Sequence, residues 1–200
     1  MEKIVFLDRD SLDANVRRPS FEHAWTEHPG TRPDEVFSRL QDATIAITNK
    51  VPLRAADIAR LPALKMVAVA ATGTDNVDLA ACRERGIVVS NIRNYSLVSV
   101  PEHVFTLVLA LRRQLLSYAA DVAAGMWQAQ ARFCLLGHPI GDLAGSRIGI
   151  VGYGALGHKV AHLARAFGME VCAAARSSVD DPGVTVLPLP ELLRTSDVIS

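Results

Sequence analysis

The chain lacks a surplus of charge of either sign. Among its 200 residues Lys and Arg number 21, as do Asp and Glu, so no basic excess marks a polyphosphate partner, and nucleic acid is excluded as the expected partner. It also lacks a long apolar run. The N-terminal MEKIVFLDRD is too short and too charged for a signal peptide or a spanning helix. The most apolar stretch, residues 98–111, is interrupted by Glu102 and His103 and followed by Arg112 and Arg113, which reads as buried helix, and no membrane association is expected. Cysteine is scarce: Cys82, Cys134 and Cys172 are odd in number and widely spaced, with no CxxC pair and no His pair at metal-ligand separation. No metal is expected, a catalytic thiol has no visible support, and the three read as buried small hydrophobes in a reducing, cytoplasmic compartment. Internal repeats and low-complexity tracts are absent. What is present, half of it hydrophobic and about a fifth charged, is the composition of a soluble globular protein with one large domain or two modest ones.

The first half alternates short β-branched runs with helical patterns. Strands are predicted at residues 3–7, 44–48, 66–70 and 87–90, and helices at 34–40, 55–60 and 77–85. Strands separated by helices of this length imply an α/β domain with a parallel sheet covered on both faces. After Asn91 the alternation stops, and residues 99–124 read as one long helix with Ser99 at its cap, Pro101 in its first turn and Glu102 as an early acid. Val100, Val104, Leu107, Val108, Leu111 and Leu115 recur at three- and four-residue steps, a face against which something large should pack. A domain crossover is placed at residues 91–99 and a surface loop at 125–143, where Trp127, Phe133, Gly137, His138, Pro139 and Gly141 cluster.

The most informative segment is Gly152-Tyr153-Gly154-Ala155-Leu156-Gly157. A bare GxGxxG is weak, but here a short apolar strand (RIGIV) precedes it, and Val160, Ala161, Ala164 and Phe167 continue at helical spacing after it. Strand, loop and helix in that order form the phosphate-binding turn of a Rossmann unit. Gly152 permits the tight turn, Gly154 lets a pyrophosphate approach the backbone, and Gly157 lets helix and strand pack closely. Ala155 and Leu156 then present amides at the positive end of a helix, and a nicotinamide dinucleotide is the implied cofactor. The bland alternative is a glycine-rich turn that binds nothing. After the next strand, residues 170–174, an Asp or Glu usually holds the adenosine ribose of NAD. This chain has Ala175, Arg176, Ser177 and Ser178 instead. A carboxylate would repel a 2′-phosphate, whereas Arg176 and Ser177 can neutralise and hydrogen-bond one, so the sequence leans toward NADP, with NAD the alternative.

Ala71-Thr72-Gly73-Thr74-Asp75-Asn76-Val77-Asp78, then Val100-Pro101-Glu102-His103, then the glycine loop, together resemble the D-isomer-specific 2-hydroxyacid dehydrogenases. The ATGTDNVD and VPEH segments resemble most the hydroxypyruvate- and glyoxylate-reducing (glycerate dehydrogenase) branch. The resemblance covers essentially the whole chain. It implies a flavodoxin-like substrate domain whose first part is residues 1–96, followed by a Rossmann NAD(P)-binding domain at residues 97–200, truncated at residue 200. It implies NAD(P)-dependent reduction of a small 2-oxo acid to the D-2-hydroxy acid, with the backbone amides of Ala71, Thr72 and Gly73 holding the substrate carboxylate and Thr72 near the nicotinamide. An ordinary turn is the alternative for Thr72 and Gly73. Asn49 and Lys50 end the preceding strand, where Lys50 is either a second anion contact or a solvated lysine.

Asp75, Asn76 and Asp78 are expected to cap the helix that follows them. Glu102 and His103 are assigned to helix capping and domain contacts, and Trp127, Phe133 and Cys134 to a flap, a dimer contact or core packing. A homodimer through the long helix follows from the resemblance alone. The family's catalytic Arg, Glu and His have no match here and are expected beyond Ser200. Residues 196–200 read as the start of a third Rossmann strand, so the chain is expected to be a fragment that binds but turns over negligibly. Two other readings stay open: a corepressor-like regulatory protein of the same fold, and phosphoglycerate dehydrogenase, against which the lack of a basic cluster in the first domain weighs.

Overall fold

Each short β-branched run of the N-terminal half becomes a strand. In the computed structural model, which describes residues 1–200, the first of two compact units is Met1–Asn94. It runs β1 (Glu2–Phe6), β2 (His23–Glu27), α1 (Val36–Leu40), β3 (Ile45–Thr48), α2 (Ala55–Ala59), β4 (Met66–Val69), α3 (Leu79–Glu84) and β5 (Val88–Asn91). All pairings are parallel, in the order β2-β1-β3-β4-β5, which is the flavodoxin-like arrangement. Leu40, Leu53, Ile58, Leu61 and Val67 are fully buried and join the sheet to its helices. Phe6, Ile47, Ala68 and Ser90 stand in register. The loops that begin at Asp8, Asn49, Ala70 and Ile92 therefore emerge along one edge, the carboxyl ends at which open α/β sheets bind ligands.

Strand β2 has no counterpart among the predicted elements. It is an edge strand with partly exposed residues on both faces, so HAWTE carries none of the alternation that marks a half-buried strand.

The second unit, Tyr95–Ser200, comprises α4 (Ser99–Arg112), α5 (Leu115–Ala123), α6 (Met126–Ala129), β6 (Arg147–Val151), α7 (Ala155–Ala166), β7 (Glu170–Ala174), β8 (Thr185–Val186), α8 (Leu189–Thr195) and β9 (Val198–Ile199). Its sheet is parallel with order β8-β7-β6-β9, the 3-2-1-4 order of a Rossmann sheet, so residues 198–199 form its fourth strand and not the expected third, a place taken by the two-residue β8, too short to show a pattern in the sequence. Ile148, Ile150, Val160, Ala161, Ala164, Val171 and Ala173 form its centre. No helix in the chain is long and apolar enough to cross a membrane.

The single helix expected over residues 99–124 is broken. Gln114 adopts a left-handed conformation at φ 53°, and the carbonyl of Arg112 accepts the amide of Gly141 at 2.8 Å, a tertiary bond that takes the acceptor a continuing helix would use. Arg113 is held to Asp142 at 2.6 Å and the Arg112 guanidinium to the Asp142 carbonyl at 2.9 Å. The apolar period carries through the break without Gly or Pro, so only the distant contact reveals it. The buried stripe of α4 meets the expected face only in part: Val108 is buried and Val104 packs partly buried against the core, but Pro101 and Phe105 complete the stripe, while Val100, Leu107, Leu111 and Leu115 are exposed. Val98, and not Ser99, occupies the cap position, and no side chain caps the helix. Trp127 and Phe133 are exposed, Phe133 at 93%, which removes core packing as their role. Cys134 is half-buried, against the expectation of burial that Cys82 and Cys172 meet.

Candidate functional site

Two strand-end loops carry the residues singled out by sequence, one in each unit. In the first, the chain leaves β4 with the Ala70 amide donating to the Thr48 carbonyl at 2.8 Å. Ala71 is buried, while Thr72 and Gly73 are exposed. The Thr72 hydroxyl donates to the Ile92 carbonyl at 2.9 Å, the Asn91 carboxamide donates to the Thr72 carbonyl at 2.7 Å, and the Ile92 amide donates to the Ala71 carbonyl at 3.1 Å. The Ala71 and Thr72 carbonyls and the Thr72 hydroxyl are thus occupied, whereas the amides of Thr72 and Gly73 donate to no protein acceptor. Fixed main chain with open N–H groups is the backbone arrangement that receives an anion.

Of the three expected caps, Asp78 alone caps α3, accepting the Ala81 amide at 3.0 Å. Asn76 is buried and donates to the Val51 carbonyl at 3.3 Å, because its side chain faces the neighbouring loop and not the helix. Asp75 offers its carbonyl to Arg54 at 3.0 Å. Lys50 is exposed, and its amide is held at 2.6 Å by the carboxylate of Asp8. Asp8, only 5% exposed, escaped the sequence reading. Its place after an apolar run looks like ordinary strand punctuation, and its partners lie more than forty residues away.

In the second unit Gly152 turns the chain at φ +98°, and its amide donates to the Ala174 carbonyl at 2.9 Å. A Cβ on Gly157 would stand 2.5 Å from the Gly152 carbonyl oxygen and 3.3 Å from Ile150 Cγ2, so the close approach of α7 to β6 requires glycine there. At Gly154 an added Cβ would meet nothing within 4 Å, which leaves that backbone bare. Helix α7 starts at Ala155 with no side-chain cap, and Ala155 and Leu156 are exposed. The free amides of its first turn and the positive end of the helix dipole are open to an anion. Val151 and Ala174 are paired across β6 and β7, so the segment Ala175-Arg176-Ser177-Ser178 leaves the sheet next to the glycine loop. Arg176, Ser177 and Ser178 are exposed, and no acid stands among them.

A contact the sequence did not suggest fastens this region. The Tyr153 hydroxyl donates to Asp181 Oδ2 at 2.7 Å, and Asp181 also accepts Arg165 at 3.1 Å and the Gly183 amide at 3.0 Å. Burial, with the Asp181 carboxylate beside it, pushes the Tyr153 phenol above its usual range. The Tyr153 hydroxyl, with the Gly183 amide and Arg165, holds Asp181 below the usual carboxylate value. The His158 ring lies 4.2 Å from that of Tyr153, centre to centre. Glu102 and His103, on the first turn of α4, are both exposed.

Residues 5–186 match the model of the D-isomer specific 2-hydroxyacid dehydrogenase catalytic domain. The chain is 50% identical over 200 residues to a glycerate dehydrogenase of Methylorubrum extorquens, covering all of this chain and 62% of that protein. It is 34% identical over 173 residues to a hydroxypyruvate reductase of Blautia hydrogenotrophica, covering 85% of this chain and 54% of that one. Among solved structures, the D-lactate dehydrogenase of Aquifex aeolicus complexed with NAD and lactic acid superposes with a TM-score of 0.75 at 26% identity, over 98% of this chain and 59% of its own. The chain thus spans somewhat over half the length of these relatives.

Proposed function

The chain belongs to the D-isomer-specific 2-hydroxyacid dehydrogenases, and from that premise we propose that it reduces a small 2-oxo acid, hydroxypyruvate or glyoxylate, to the D-2-hydroxy acid with a nicotinamide dinucleotide. One observation carries the reading: the glycine loop leaves the Gly154 backbone bare and the first turn of α7 uncapped, which suits a pyrophosphate. The bound dinucleotide supplies the hydride. Gly152, Gly154, Ala155, Leu156 and Gly157 hold its phosphates. Arg176 and Ser177, with no acid beside them, favour NADP over NAD. The Thr72 and Gly73 amides, with Ala71 behind them, receive the substrate carboxylate, and Lys50 adds positive charge at the same sheet edge. Neither loop contains a His or Glu, so we assign the proton donor, its Glu partner and the substrate-binding Arg to sequence beyond Ser200.

The exposed Leu111 of α4 and Leu115 and Leu116 of α5 are the apolar side chains on which a homodimer through these helices would rest. Light scattering that shows a monomer overturns it. Three free thiols agree with a reducing cytoplasm.

The test is oxidation of NADPH and NADH by the full-length protein with hydroxypyruvate, glyoxylate and pyruvate. Turnover of the first two supports the reading. Binding of the dinucleotide without turnover of any 2-oxo acid sinks it in favour of a regulatory role. The 200-residue chain alone is expected to bind NAD(P)H and to turn over negligibly.

A further inference from the structure

A carboxylate withdrawn from water must be matched by cations or by several N–H donors, because an unpaired buried charge is strongly unfavourable. Asp8, at the carboxyl end of β1, is matched by amides. Its Oδ1 accepts the Asn49 N–H at 2.9 Å, and its Oδ2 accepts that of Lys50 at 2.6 Å and that of Val51 at 3.3 Å. Successive amides converging on one anion form a nest, the backbone concavity that in other settings holds a phosphate or carboxylate ligand. Here the anion belongs to the chain itself.

The same loop is fixed from its other side. The Val51 carbonyl accepts the Thr48 hydroxyl at 3.0 Å and the Asn76 carboxamide at 3.3 Å. The Asn49 carboxamide donates to the Ser11 carbonyl and hydroxyl, both at 3.1 Å, and the Ser11 hydroxyl donates back to the Asp8 carbonyl at 2.6 Å. Through Asn76, whose carbonyl also accepts the Leu53 amide at 2.8 Å, this network reaches the segment that follows Gly73. Two sets of amides therefore stand at one sheet edge: those of residues 49–51, turned onto Asp8, and those of Thr72 and Gly73, left open.

We propose that Asp8 is a positioning residue of the substrate site, an internal anion that fills the 49–51 nest, sets the main chain at Lys50 and leaves the Thr72 and Gly73 amides as the place for the substrate carboxylate. The inference rests on reading the 71–73 loop as the carboxylate cradle. With the nest filled, a 2-oxo acid meets one open set of donors and one orientation. With the nest emptied, the loop that carries Lys50 loosens, and the positive charge and main chain beside the open amides lose their fixed place. Charged hydrogen bonds are the strong ones, so the loss is measurable in substrate binding.

The experiment compares the full-length enzyme with its Asp8→Asn and Asp8→Ala variants. Asp8→Asn keeps the shape and one acceptor oxygen, and Asp8→Ala vacates the nest. The expected result for Asp8→Ala is a KM for hydroxypyruvate raised about tenfold with kcat within about threefold, the pattern of lost ground-state binding. Asp8→Asn is expected to show a smaller rise. Added acetate should lower the KM of Asp8→Ala by refilling the nest, whereas in the wild type and Asp8→Asn, whose nest is filled, it can only compete for the open Thr72 and Gly73 amides and raise the KM. An unchanged KM in either variant, or a KM of Asp8→Ala indifferent to acetate, overturns the proposal and leaves Asp8 a purely structural carboxylate. If Asp8→Ala does not fold, the KM of Asp8→Asn decides alone. If the wild type turns over no 2-oxo acid, the functional reading fails by itself. The nest is then judged by the thermal midpoint of Asp8→Ala, which selective stabilisation by acetate supports and an absence of stabilisation overturns.

Discussion

In the N-terminal unit the loop after β3 turns three successive amides onto a carboxylate of its own chain, whereas in the C-terminal unit the loop after β6 spends only the Gly152 amide, on the Ala174 carbonyl, and leaves those at the start of the uncapped helix α7 open. Both loops sit at the carboxyl ends of parallel strands, and both belong to sheets with hydrophobic centres. The N-terminal unit shapes its rim with side chains: Asp8, Asn76, Asn91 and Thr72 each fix a neighbouring main chain. The C-terminal unit shapes its loop by leaving side chains out, at Gly152, Gly154 and Gly157. A rim built with side chains tolerates small additions. A rim built by their absence does not where, as at Gly157, backbone already fills the space a side chain would take.

The sharpest way to break that contrast is to add one methyl group to each loop. In Gly157→Ala the new Cβ meets a backbone oxygen at 2.5 Å, which can give only if α7 moves off β6. We expect a loss of about 2–3 kcal/mol in urea unfolding, together with weakened NAD(P)H binding. In Gly73→Ala the new Cβ meets the end of the Asp75 side chain at 3.0 Å, which can rotate away, and the loss should stay below about 1 kcal/mol. Equal losses at the two glycines would erase the distinction. Arg176→Ala should come next in size, weakening NADPH by about tenfold while changing NADH less than about twofold, because a guanidinium contact to the 2′-phosphate exists with only one of the two. An equal change for both cofactors removes Arg176 from the selectivity argument.

The parallel α/β character and the glycine loop were legible because each is written locally. Alternating β-branched runs and helical patterns announce β1, β3, β4, β5, β6 and β7, and Gly157 is placed by its spacing from Gly152. What stayed illegible depends on contacts distant in sequence. The break at Gln114 follows from the bond between Arg112 and Gly141, and the apolar period crosses it without a sign. In the buried stripe of α4, Pro101 and Phe105 join the expected Val108 in place of Leu107 and Leu111, because the sequence around α4 is apolar on more than one side and only packing selects which part is covered. β2 was hidden because an edge strand exposed on both faces needs no alternation. At the N-terminal rim the 71–73 loop could be singled out by its resemblance, but the carboxylate that organises its neighbour lies at Asp8, where nothing local distinguishes a keystone from a turn residue.

The smallest expected effect concerns the one place where the C-terminal rim does use a side chain. Tyr153 sits inside the glycine loop, and its hydroxyl reaches Asp181 in the segment beyond Arg176. Tyr153→Phe removes that hydroxyl and nothing else, and should lower the thermal midpoint by roughly a few degrees near neutral pH. The pH dependence of the difference identifies the bond. Asp181 is held below its ordinary value of 3.8, with the Tyr153 hydroxyl the largest cause, so the stabilisation is fully present above that value and is lost as pH falls through the lowered one. Tyr153 is held above its ordinary value of 10.0, with burial the largest cause, so its share is fully present below 10.0 and is lost as pH rises through the raised one. Wild type and Tyr153→Phe should therefore differ by a constant amount between those limits and converge outside them. A difference that does not shrink as pH falls through the lowered Asp181 value would mean that the hydroxyl acts there by something other than its bond to Asp181, and the C-terminal rim would then be shaped by glycine without help from that bond.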